Sequence, residues 1–194
     1  CPSPPKGPGG QAVDDTFYFA HRALTGDGSI TVRVRSLTGI ITYPPPDHDK
    51  IVPGVVPWAK AGIIIKDGTR RGSPYAALMV TGRHGVRLQY DYVHDEAGPA
   101  AASWLRLVRT GRTITGYASA DGVRWTRVGA VRPAGLPSNV RIGLFATSPG
   151  DLTVARGSLG ASAVQVRFTQ ATGTFSDLRL TGQGTEGAWS SLAV

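Results

Sequence analysis

The stretch Ser103 to Gly129, SWLRLVRTGRTITGYASADGVRWTRVG, decides the fold class, because it reads as three consecutive antiparallel strands joined by two turns. Leu105, Leu107 and Arg109 alternate with Trp104, Arg106 and Val108, and Thr110-Gly111-Arg112 supplies a turn. Ile114, Gly116 and Ala118 then alternate with Thr113, Thr115 and Tyr117, and Asp121-Gly122 turns the chain into Val123–Val128. Period-two alternation bounded by glycine turns is the signature of half-buried hairpins. The stretch contains no catalytic motif.

Outward from it the pattern repeats. Thr16–Leu24 and the alternating Ile30, Val32, Val34 against Thr31, Arg33, Arg35 read as two strands separated by the turn Thr25–Gly28. Trp58–Lys66 holds an apolar run suited to burial on both faces. Tyr75–Thr81 and Val86–Val93 form a hairpin by spacing, Val140–Thr147 is a further strand, and Ala163–Gln170 and Phe175–Leu180 close the domain. Thr38–Pro57, with Pro44-Pro45-Pro46 and Asp47–Lys50, reads as an irregular recognition loop or insertion, and Gly150–Ser162 reads as loop. Short strands at regular spacing predict an all-β, two-sheet antiparallel β-sandwich of the jelly-roll kind.

The chain has 194 residues, 41% of them hydrophobic, enough for one domain with its own core. The expected division is a Pro/Gly-rich tether at 1–14, a single sandwich domain at 15–182, and a second tether at 183–194. The single cysteine, Cys1, excludes an intramolecular disulfide. Followed by Pro2-Ser3-Pro4-Pro5, it fits the lipidated first residue of a bacterial lipoprotein; the other reading is a point at which a longer chain was cut. The longest apolar region, Ile51–Ile65, is interrupted by proline, glycine and lysine and is too short to span a bilayer. The net charge of +8 comes from 21 basic residues, most of them arginines spread along the chain. Scattered arginines on outward strand positions speak against a nucleic-acid partner.

Ala61–Lys66, the strand around Val86–Tyr90, Trp104–Arg109, Gly116-Tyr117 with Ser119–Gly122 and Trp125, and Ile142-Gly143-Leu144 resemble DUF1349-type, concanavalin A-like jelly-roll modules of bacterial extracellular proteins. The resemblance covers most of Asp15–Gly182. It implies a sandwich domain held outside a membrane, non-catalytic, recognising a glycan or a partner protein. Chains with this motif set and a Cys-Pro-Ser-Pro-Pro opening also resemble the extracytoplasmic domain of some actinobacterial ABC-transporter permeases, attached to the membrane through flanking segments. The alternatives are a stand-alone carbohydrate-binding lipoprotein anchored through Cys1, and a glycoside hydrolase. The hydrolases of this fold carry Glu-x-Asp-x-x-Glu on one strand, whereas the glutamates here are Glu96 and Glu186 alone.

The densest polar cluster is Tyr90-Asp91-Tyr92-Val93-His94-Asp95-Glu96. Continued as a strand, it would place Tyr90, Tyr92 and His94 on one face as a row on which a sugar stacks and Asp91, Val93 and Asp95 on the other, with Asp91, Asp95 or Glu96 available for hydrogen bonding or for a cation. The competing reading, favoured for aromatics in general, puts both tyrosines in a core layer and the acids at a solvated strand end. Trp58 is the tryptophan expected to be most open to a ligand, while Trp104 and Trp125 are expected to pack, Trp125 in the core. Calcium is a family-level alternative, but neither Asp91-Asp95-Glu96 nor Asp47-Asp49 offers six to eight oxygens by itself, and the four histidines have no zinc-type spacing. No cofactor is therefore expected. Ser119-Ala120-Asp121-Gly122 is read as a structural turn.

Overall fold

A computed structural model describes residues 3–43, 47, 49–156 and 162–194, with side chains of 152–166 left aside. Cys1, the proposed lipidation point, lies outside the described residues, as do Pro44–Pro46 and His48 of the expected recognition loop. The described chain is all-β. Its strands are β1 (Tyr18–Thr42), β2 (Ile51–Pro53), β3 (Lys60–Lys66), β4 (Tyr75–Thr81), β5 (Val86–Tyr90), β6 (His94–Ala97) and β7 (Trp104–Thr110). They continue with β8 (Thr113–Ser119), β9 (Thr126–Val131), β10 (Asn139–Thr147), β11 (Asp151–Arg156), β12 (Ser162–Arg167), β13 (Thr169–Gln183) and β14 (Ser190–Ala193).

Two sheets share β1. Its first part, Tyr18–Thr25, pairs with β10 on one side, and Tyr18–His21 also pair with β14, so the first sheet runs β6-β5-β4-β3-β10-β1. Its later part pairs with β7 through Gly28–Arg33 and with β13 along most of its length, so the second sheet runs β13-β1-β7-β8-β9. The transfer happens where the register shifts between Thr25 and Gly28, and Gly26 takes φ 71°, a left-handed conformation that favours glycine. The turn read at Thr25–Gly28 is thus a bulge in one long bent strand and does not separate two.

The alternation read in the sequence sets the core. Ile30 and Val32 of β1, Ile63 and Ile65 of β3, Leu78 of β4, Leu88 of β5, Leu105 and Leu107 of β7, Ile114 of β8 and Ile142 of β10 are all fully buried between the sheets. The opposite face of the first sheet is also apolar, with Phe17, Phe19, Ile64, Ala77, Met79, Phe145 and Val194 forming a second cluster. This explains the uninterrupted apolar run of β3, which is buried on both faces as expected for such a strand.

Four local expectations change. Residues 3–14 are folded onto the body: Lys6 and Ala12 form a bridge, the Val13 amide donates to the Pro5 carbonyl, and Gln11 Nε2 donates to the Asp91 carbonyl. The C-terminal stretch, expected to be a tether, supplies β14, and the Val194 amide donates to the Phe17 carbonyl. Asp151–Arg156, within what read as a loop, is a strand that pairs with Ser162–Arg167. Trp125 is half-buried on the outside of the second sheet beneath the Arg106 guanidinium, 4.0 Å from its ring centre, because the register shift after Gly116 turns it away from the core.

Candidate ligand pocket on the first sheet

Strand parity brings one set of side chains to the outer face of the first sheet. On β3 the outward positions are Lys60, Gly62, Ile64 and Lys66; on β4 they are Tyr75, Ala77 and Met79; on β5, Arg87 and Gln89; on β10, Phe145 and Thr147. The segment Asp14–Phe17, Trp58 and Pro149-Gly150 wall this face, enclosing a pocket of about 420 Å³. That volume lies within the range of small-molecule sites. Phe17, Ile64, Ala77, Met79 and Phe145 make its floor, and Asp14, Thr16, Lys60, Gln89 and Thr147 supply hydrogen-bonding groups at its sides.

Two lysines bracket β3 and do different work. Lys66 is fully buried, and its Nζ donates to Asp15 Oδ2 at 2.8 Å, to the Ser73 carbonyl at 3.1 Å and to the Tyr92 hydroxyl at 2.9 Å. Asp15 Oδ2 also accepts from the Tyr92 hydroxyl at 2.6 Å and from the Gly72 amide at 2.8 Å. The rings of Phe17, Tyr75 and Tyr92 stand 5.5 to 6.0 Å from the ammonium. A buried ion pair is tolerated when it is hydrogen-bonded in this way, here with an acceptor for each of the three ammonium protons. Burial nevertheless lowers the Lys66 pKa, against the raising effect of Asp15. Burial, followed by the neighbouring Asp15 carboxylate, raises the phenol pKa values of Tyr75 and Tyr92 above the ordinary range.

Lys60, by contrast, opens onto the pocket. Its Nζ donates to Gln89 Oε1 at 2.7 Å, and Gln89 Nε2 donates to Asp95 Oδ1 at 3.0 Å. Asp95 Oδ2 in turn accepts from Arg87 at 3.0 Å, and the Arg87 guanidinium lies 5.6 Å from the ring centre of Trp58. Trp58 is held by stacking on His84, with centroids 3.9 Å apart and planes inclined at 24°. Burial lowers the Lys60 pKa, partly countered by Asp95 and Asp14. A half-buried ammonium bonded to a neutral amide is a donor available to a ligand.

The residues singled out from sequence separate across this geometry. Trp58 and Tyr92 line the pocket. His94 lines an adjoining groove of about 370 Å³ that shares Asp14, Lys60, Tyr75, Gln89 and Tyr92 with it. Tyr90 packs against the core between the sheets, its ring stacked on that of exposed His94 at 4.3 Å. The row of Tyr90, Tyr92 and His94 on one face does not form, because the strand stops at Tyr90. Asp91 and Tyr92 take φ 49° and 70°, which carries the Tyr92 ring to the outer face. Asp91 is buried and holds that turn, its Oδ1 accepting from the Tyr75 amide at 3.3 Å and its Oδ2 from the Ala134 amide at 2.7 Å.

Sequence reasoning missed Asp15, Lys60, Lys66 and Gln89. The signal was the period-two placing of Lys60 and Lys66 at both ends of an otherwise apolar strand. Among the described residues no three side chains of His, Cys, Asp or Glu converge as a metal site. Among the described residues no helix is long and apolar enough to cross a membrane.

No protein-family model matches this chain, and no curated protein does. Similar solved structures include a functionally unknown protein from Saccharomyces cerevisiae, with 14% identity over 92% of this chain and 80% of the other, at a TM-score of 0.48. The GH43 protein BlXynB from Bacillus licheniformis is similar with 14% identity over 75% of this chain at a TM-score of 0.39; the match spans 27% of that protein. SCP-B, a member of the Eqolisin family of peptidases, is similar with 12% identity over 88% of this chain and 81% of the other, at a TM-score of 0.40.

Proposed function

We propose that this domain is a non-catalytic recognition module and that the pocket on the first sheet receives a terminal sugar or short oligosaccharide. The observation that carries the reading is the pairing of an apolar, aromatic-walled floor with Lys60, Gln89, Asp14 and the Thr16 and Thr147 hydroxyls around it. A pyranose offers one C–H face to apolar and aromatic surface and a rim of hydroxyls to such donors and acceptors.

Against hydrolysis, the carboxylates among the described residues lining the pocket are the sequence neighbours Asp14 and Asp15, and Asp15 already receives three hydrogen bonds on one oxygen. Glycoside hydrolysis uses two carboxyl groups placed on either side of the scissile bond. The likeness of the sequence to DUF1349-type modules supports an extracytoplasmic setting. In this reading the domain is attached to a bacterial membrane through flanking segments, as in a transporter permease, or through a lipid on Cys1.

A glycan-array screen followed by calorimetric titration tests it. Saturable binding to at least one glycan, weakened tenfold or more by Trp58→Ala, supports the reading. Absence of binding to every glycan, or binding indifferent to both Trp58→Ala and Lys60→Met, overturns it.

A further inference from the structure

The outer face of the second sheet carries a second organised surface. Register places Arg179 of β13 opposite Thr31 of β1, Thr31 opposite Arg106 of β7, Arg106 opposite Tyr117 of β8, and Tyr117 opposite Arg127 of β9. These five residues form one row across five strands with an arginine on every second strand. At ~4.8 Å between neighbouring strands, the arginine positions recur about every 10 Å. A shallow groove of about 600 Å³ runs between Arg106 and Arg179, bordered by Ser29, Thr31 and Thr181.

None of Arg106, Arg127 and Arg179 pairs with a carboxylate among the described residues. Arg106 is pre-positioned, since its Nε donates to Thr31 Oγ1 at 3.0 Å and its guanidinium lies over Trp125. The two nearby acids, Asp27 at the edge of the groove and Asp177, each bond a neighbouring neutral group and no arginine of the row. Asp27 accepts from the Gly111 amide at 2.6 Å, and Asp177 accepts from the Ser176 hydroxyl at 2.7 Å. Guanidiniums without a carboxylate partner, one of them seated over an aromatic ring and with hydroxyls between them, present N–H donors to carboxylate or sulfate groups.

We propose that this row binds an extended acidic polysaccharide, on a face separate from the pocket. The charge is complementary, and the regular spacing matches a chain that repeats its acid group. Single-stranded nucleic acid fits less well, because successive bases need a series of open aromatic faces, whereas the row carries Tyr117 alone and the neighbouring Trp125 lies beneath Arg106. An anionic membrane fits less well too, since no residue of the row is among the exposed large apolar side chains that would enter the interface.

The test uses sodium polygalacturonate as immobilised probe, with neutral dextran, a single-stranded oligonucleotide and phosphatidylglycerol vesicles in parallel. The wild-type protein is expected to bind polygalacturonate and not dextran, with affinity falling steeply as salt rises. R106Q/R127Q/R179Q is expected to weaken binding tenfold or more, while R70Q/R71Q/R83Q, which removes the same charge from loops of the first sheet, changes it less than twofold. If the first triple variant does not fold, exposed Arg127 and Arg179 are tested singly and are each expected to weaken binding. Trp58→Ala is expected to leave polygalacturonate binding intact, which separates this site from the pocket. Four results overturn the proposal: no preference over dextran, equal loss in both triple variants, loss with Trp58→Ala, or oligonucleotide or vesicles bound as tightly as the polyuronate.

Discussion

Asp15 and Lys66, 51 residues apart in the chain, meet as a buried ion pair with Oδ2 and Nζ 2.8 Å apart, and this contact fastens the segment before β1 to the end of β3. Because Asp14 and Thr16 flank that carboxylate and line the pocket, the pair also fixes one wall of the site. Removing one partner strands a buried charge, which costs about 3–5 kcal/mol, whereas replacing both with apolar groups of similar volume is close to neutral. Asp15→Asn is therefore expected to lower stability by roughly that amount, and Asp15→Leu with Lys66→Met to recover most of it. Urea denaturation of the three proteins measures the difference.

Alkaline pH acts on the same network. Tyr75 and Tyr92 have phenol pKa values raised above 10.0, by burial first and by Asp15 next. A group whose folded pKa exceeds its unfolded value stabilises the fold below the unfolded pKa, and that contribution is lost as pH rises beyond it. Stability is therefore expected to decline from about pH 10 upward. Tyr92→Phe is expected to make the decline shallower, in denaturation curves recorded alongside ultraviolet titration of the phenols.

Acid pH acts elsewhere. His21 is buried against Phe19, with ring centroids 4.7 Å apart, and neither ring nitrogen has a hydrogen-bond partner among the described residues. Burial, aided by Arg141, holds its pKa below 6.5. The unfolded chain takes up this proton more readily than the folded one, so stability is present above pH 6.5 and falls as pH drops below it. His21→Phe is expected to flatten this limb of the stability profile, read from thermal midpoints between pH 7 and 4.

Asp91, proposed from sequence as a hydrogen-bonding residue for ligand, holds the turn that delivers Tyr92. Asp91→Ala leaves the Tyr75 and Ala134 amides without this acceptor and places alanine at φ 49°. A loss of about 2–4 kcal/mol in denaturant-derived stability is expected. Asp91→Asn, which tolerates the left-handed region and keeps one acceptor oxygen, is expected to lose less.

The alternation of Leu105–Leu107 and Ile30–Val32, and the turns at Gly111 and Asp121-Gly122, were legible because each obeys a two-residue period or a left-handed turn requirement that acts locally. Asp121 is such a case. Its carboxylate accepts from the Val123 and Arg124 amides, as a structural turn demands. The single β1 was not legible, because a bulge at Gly26 has the same local chemistry as a hairpin turn and only the partners β10, β7 and β13 distinguish them. Nor was β14 legible, since Ser190–Ala193 becomes a strand by pairing with β1 at the other end of the chain. At the site, Trp58 was found through its place beside a loop. Asp15 and Lys66 were hidden, because a buried ion pair depends on two segments whose proximity no local pattern encodes.

The most direct test of the pocket as a recognition site is amide and side-chain chemical-shift mapping by NMR during titration with a glycan that binds on the array. The account predicts shifts concentrated at Trp58, Lys60, Gln89 and the Asp14–Thr16 segment, abolished by Trp58→Ala. Shifts centred on any other surface, with these residues unmoved, would contradict it.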